Sequence, residues 1–157
     1  MTFSEQFKIL ALTESADVTT AGVDSQSVNF GKIHRGCFLL NFGSITNNDT
    51  LSVYVGAATA TKTTAIAFSY RHAAADTKSA LSDTFGAVTA VPSTGLTLAA
   101  TTFDHKLLIV EVDSQAIADA TPWVTLEIAG TASTQNISIL FIGEPRFSSN
   151  SGLPTVI

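Results

Sequence analysis

Charge is what this chain has least of. Asp, Glu, Lys and Arg together make up 13% of its 157 residues, against about 25% in ordinary soluble domains. The net charge is −5, and no run of basic residues offsets it. The nearest, Lys32-Ile33-His34-Arg35, is too short to displace the counterions of a nucleic acid, so a nucleic-acid partner is not expected. Cysteine is almost absent too: Cys37 stands alone, which excludes an intrachain disulfide and a cysteine-based zinc site. No stretch approaches the roughly 20 apolar residues of a membrane-spanning helix. The opening Met1-Thr2-Phe3-Ser4-Glu5-Gln6-Phe7-Lys8 has no basic segment followed by an apolar one and does not read as a signal peptide. The expectation is a chain made and folded in a cytoplasm without export of its own.

Catalytic motifs are equally scarce. His34, His72 and His105 fall at no helical metal spacing, and there is no HExxH. They read as loop histidines on a wet surface; a metal site assembled from distant loops stays open. No serine sits in a Gly-x-Ser-x-Gly elbow, and Ser44 in Phe42-Gly43-Ser44-Ile45 lacks the second glycine. Cys37 lies inside an apolar run, where thiols are usually inert. Gly31-Lys32 has neither the earlier glycine nor the following hydroxyl of a phosphate loop. Glu111 and Asp113 are two apart on one strand face, a spacing open to cation binding or acid/base work but more simply the wet end of a strand entering a helix cap. Asp76, Asp83 and Asp104 show no calcium-loop spacing. Asn48-Asp49-Thr50 and Asn136-Ile137-Ser138 match the glycosylation sequon, as chance allows in a chain rich in Thr and Ser. No catalytic residue, cofactor or metal is expected.

What the chain does have is β-pattern. Hydrophobic residues reach 45%, enough for a core, and the length suits one domain. Leu51, Val53 and Val55 alternate with polar neighbours, as do Ile66, Phe68 and Tyr70, and Val124, Leu126 and Ile128. That is the period of a strand with one buried face. Residues 37–40 and 107–110 are apolar on both faces, 137–142 nearly so, and these runs predict central strands, or strands whose outer face meets another layer. Turn residues punctuate the chain at 43–49, 56–61, 92–95 and 130–135, the first read as a hairpin loop. Residues 14–27 predict an excursion or weak edge strand, 73–82 a helical turn, and 114–120 a short helix capped by Asp113 or Ser114. The fold expected is all-β: an antiparallel sandwich or Greek-key, jelly-roll-like barrel of about eight strands with at most one or two short helices. Residues 1–13 form an N-terminal arm or first strand, 14–147 a single β domain, and 148–157 a linker-like or docking tail.

Apolar positions beyond the needs of one core mark contact candidates. Phe3, Phe7, Ile9 and Leu10 suit an arm that adds a strand to a neighbour, or a first strand pairing within its own domain. Leu107 and Ile109 belong to a strand apolar on both faces. Trp123, on the face of Thr125 and Glu127 and following Pro122, suits a cap on the core's end, a protein interface or a sugar platform. With Tyr54 and Tyr70 the only tyrosines, an extended aromatic platform is not expected.

A further pattern orders these pieces. Ala65-Ile66-Ala67-Phe68-Ser69-Tyr70-Arg71 is followed by Ser82-Asp83-Thr84-Phe85-Gly86. Lys106-Leu107-Leu108-Ile109-Val110-Glu111-Val112-Asp113 comes next, and Gly143-Glu144-Pro145-Arg146-Phe147 closes the series. Over positions 5–147 this order resembles small virion proteins of tailed bacteriophages, often encoded beside the major capsid protein. Phe85 and Phe147 stand where similar proteins often carry Trp or Tyr, a conservative difference. The resemblance implies a head-decoration (cement) protein: β-rich, commonly trimeric, clamping capsomers on the capsid surface after the shell expands. Its implied partners are the major capsid protein and further copies of itself, and it implies no catalytic residues. A host-glycan-binding β-module is the alternative, then another head or tail structural protein, with a carbohydrate esterase last.

Overall fold

The computed structural model describes residues 3–14, 16–18, 21–130 and 135–146. They form two antiparallel sheets packed face to face, the sandwich among the two architectures that the alternating pattern predicts. The larger sheet has seven strands. Its centre is β5 (Ile33–Phe42), flanked by β13 (Gln135–Pro145) and β11 (Leu107–Glu111). Beyond β11 lie β8 (Phe68–His72) and β9 (Thr89–Val91); beyond β13 lie β1 (Lys8–Ala11) and β2 (Ala16–Val18). The smaller sheet has six strands. There β6 (Asp49–Gly56) pairs along its length with β12 (Trp123–Ala129). Short pieces line both sides: β10 (Leu96–Leu98) and β7 (Thr64–Ile66) on β6, β3 (Val23–Asp24) and β4 (Val28–Asn29) on β12. Counting these edge pieces gives thirteen strands among the described residues, with the long, patterned ones at the centre.

The inward rows make the core. Phe38, Leu40 and Phe42 meet Leu108 and Val110 on one side and Ile137, Ile139 and Phe141 on the other. Leu51, Val53 and Val55 with Val124, Leu126 and Ile128 face them from the smaller sheet. Phe30, Phe38 and Phe141 cluster at one end with ring centroids 5.0–6.0 Å apart, a spacing that adds to burial alone.

Several connections differ from the sequence expectation. Residues 43–49 are not a hairpin loop: both flanks of β5 are occupied by β11 and β13, so the chain crosses to the other sheet and becomes β6. The alternating run 64–72 is not one strand. It bends at Ala67 and changes sheets, giving β7 and β8, yet Ile66 and Phe68 both stay turned to the core. Residues 73–82 form turns rather than a helical turn, for want of an amphipathic face. The short helix near 114 is a 3-10 turn, Ser114–Ala116, in which Asp113 accepts a hydrogen bond from the Gln115 amide. Two four-residue helices, α1 (Phe3–Gln6) and α2 (Ala100–Phe103), have no sequence periodicity long enough to reveal them. The polar stretch 14–27 contributes the edge strands β2 and β3, and the tail 148–157 lies outside the described residues.

Candidate functional site

The chemistry-bearing residues stay apart. His34 lies near the start of β5 rather than in a turn, His72 ends β8 beside Tyr70 and Phe103, and His105 sits in the left-handed region at φ 53° between α2 and β11. Asp113 lies beyond the end of β11 as a cap, so it does not share a strand face with Glu111. Among the described residues no three His, Cys, Asp or Glu side chains gather as a metal cluster. An open groove of about 750 Å³ runs between the β1–β2 link and the β3–β4 segment, lined by Thr13, Glu14, Asp24, Ser25 and Gln26 among others. Its serines are already engaged. Ser25 accepts from the Leu126 amide and donates to the Gln26 carbonyl, while Ser27 bonds Thr125 and accepts from the Ala60 amide.

The two outer sheet faces differ sharply. On the smaller sheet, the outward positions of β6 and β12 are Thr50, Ser52, Tyr54, Trp123, Thr125 and Glu127. Lys62 spans this face, 2.9 Å from Asp24 and 2.5 Å from Glu127, with its ammonium over the Tyr54 ring. Partial burial alone would lower the Lys62 pKa; the hydrogen bonds to Glu127 and Asp24, with their charges, outweigh that and raise it. This is the polar outer face that a sandwich normally shows, with Thr125 covered by Ser27.

The larger sheet has no such face. Cross-strand register places Ile9, Ile142, Cys37, Glu111 and Ser69 in one outward row. The next row along the strands is Ala11, Leu140, Leu39, Ile109 and Arg71. Leu107 continues β11 beyond them, level with Asn41 and Ser138. Ile9 is 51% exposed and Leu140 40%, and the other apolar members of these rows on β5, β11 and β13 are half-buried. On the far side of the first row an ion pair, Arg35 to Glu144 at 2.6 Å, closes the patch. Phe7 follows α1 and joins Arg35, Cys37, Glu111 and Ile142 around a shallow pocket of about 230 Å³. Phe3 stacks on Phe7 at 4.6 Å and is 55% exposed. Burial first, then the Glu111 carboxylate, pushes the Cys37 thiol up, so it stays protonated near neutrality.

The structure therefore brings Phe3, Phe7, Ile9, Leu107 and Ile109 to one side of the molecule. Leu10 is separated from them: β1 alternates, and Leu10 turns inward against the core. The first strand pairs with β13 of its own chain. Trp123 is half-buried at the start of β12, on the opposite sheet, opposite Asn29 and Gly56. Leu39, Leu140 and Ile142 belong to the patch although none was singled out from sequence. Their signal was present in the runs 37–40 and 137–142, apolar or nearly so on both faces; what sequence lacked was the register that joins them. No protein-family model matches this chain, and neither curated proteins nor solved structures give a match.

Proposed function

We propose that this protein is a structural virion protein of the head-decoration type. It binds the outer shell through the major capsid protein and stabilises it as a homo-oligomer, a trimer by the resemblance, without enzymatic activity. The observation that carries this reading is the apolar outer face of the seven-stranded sheet. A sandwich that left such a face to water would lose the polar-out alternation for no gain; a protein made to be covered uses it. Low charge fits the same role, because each unpaired charge buried in a contact is costly. The mechanism is mass action: a protein bound to the assembled shell and not to its parts shifts the equilibrium toward the shell, by about 2.7 kcal/mol per site at 100 times the dissociation constant.

Particles of the encoding phage test the proposal. Cryo-EM density for the sandwich on the mature head, and particles that burst at lower temperature when made without it, support decoration. Its absence from the virion defeats the reading. The glycan alternative gains only if Trp123→Ala leaves particle binding intact and abolishes retention on host polysaccharide.

A further inference from the structure

We propose that the outer face of the seven-stranded sheet seats a second copy of this chain. The two copies pack face to face about a two-fold axis that crosses the strands between the rows of Cys37 and Leu39. The inference needs only this face; it holds whether or not the chain decorates a capsid, and it gives a two-fold dimer in place of the trimer that the resemblance implies.

The pattern on the face is self-complementary under that operation. Rotation lays the Cys37 row of one copy over the Leu39 row of the other. Ile142 then meets Leu140, Ile9 meets Ala11, and Cys37 meets Leu39, apolar against apolar, while on β11 the stem of Glu111 lies over Ile109. The next rows outward exchange in the same way: the Arg35–Glu144 pair of one copy falls over Asn41 and Ser138 of the other, polar against polar. Charge is matched as well. Glu111 sits on β11 in the first row and Arg71 on the adjacent β8 in the second. The rotation brings Arg71 level with Glu111 of the opposite copy, one strand to the side, and does so twice. Within one chain no ion pair joins these two among the described residues. An isologous contact has this reciprocity by necessity.

The size is adequate. Five strands supply fifteen outward positions, and at about 4.8 by 6.8 Å each they span roughly 490 Å² per copy. Phe3 and Phe7, projecting beside it, bring this toward the roughly 800 Å² per partner of a standard interface. The opposite sheet offers no equivalent, since Lys62 is already paired with both Asp24 and Glu127 within the chain.

Sedimentation equilibrium on the full chain decides it. The expected result is a mass twice the 16.4 kDa of one chain. Leu140→Asp, at an exposed position, weakens association at least about 100-fold, as burying an unpaired charge does. Arg71→Glu and Glu111→Arg each weaken it about 10-fold. Thermal melts confirm that every variant is folded. The two charge variants, mixed in equal amounts, recover association, because their altered charges pair only between chains. A wild-type chain that stays monomeric to about 100 µM, above the micromolar constants of modest interfaces, overturns the inference. So does an oligomer indifferent to all three substitutions, or single variants that dissociate and do not reassociate on mixing.

Discussion

The buried Ser27–Thr125 pair and the buried Gln135 of this sandwich have opposite character. Ser27 and Thr125, both nearly inaccessible, hold their hydroxyls 2.7 Å apart, and Ser27 also caps the Ala60 amide. Gln135 is fully buried at the start of β13, and neither end of its amide has a partner. An unsatisfied buried amide costs about 1–3 kcal/mol, so Gln135→Met, similar in shape and free of that penalty, is expected to stabilise by about 1–2 kcal/mol in urea unfolding. Two titrating residues set the alkaline limit. Cys37 and Lys62 both have raised values in the folded chain, so each favours folding while protonated. Their contribution is whole below the unfolded thiol value of about 8.5 and the unfolded amine value of about 10.4. It is lost as pH rises through the folded values. Stability measured by denaturant titration should therefore decline from about pH 8.5 upward. Cys37→Ala should remove the first part of that decline and Lys62→Met the second.

The central strands owe their close fit to glycine. Gly36 on β5 and Gly143 on β13 are cross-strand partners, and the Phe141 ring lies over both. A Cβ on Gly36 would stand 2.5 Å from Phe141 Cζ, and one on Gly143 would press on the same ring and on Ile33. An aromatic covering paired glycines restores the packing that they lack. Gly143→Ala is expected to cost about 1–3 kcal/mol through overpacking. Phe141→Leu should recover part of that loss in the double variant, which a thermodynamic cycle would read as coupling. The edges follow another rule. The outermost strands of both sheets are two to four residues long, and the side of β13 is covered in turn by β1 and β2. Short edges offer little template for strand addition, so association is directed to a face. Alternation made the central strands legible, because their inward residues fall at every second position. The edge pieces were not legible, since two or three residues carry no period, and the crossing at Ala67 preserved the alternation while changing the sheet.

For the molecule as a whole, the chain order of the strands predicts how it folds. β5 pairs with β13 across roughly a hundred residues, and β1 with β13 across more. Such long-range pairing must close large loops before it is rewarded. Stopped-flow refolding is expected in the millisecond-to-second range of sandwiches rather than in microseconds. Since β6 and β12 bury their apolar rows only against the larger sheet, the two sheets should unfold in one transition, with fluorescence of Trp123 and far-UV dichroism coinciding.

Composition and periodicity, on their own, determined an all-β fold of sandwich or barrel type, the central strands and their inward residues, and a chain without a recognisable catalytic motif. These are local properties: a buried face writes itself into every second residue, and a missing residue type cannot be supplied by folding. Tertiary structure decided which apolar excess is surplus. Leu10 and Ile9 are adjacent and alike in sequence, yet one closes the core and the other opens the outer patch. Leu39, Ile109 and Leu140 come from distant segments and become one surface only through register. Pairing is a non-local choice, made by which strand edges and faces remain free, and a linear pattern holds no record of it.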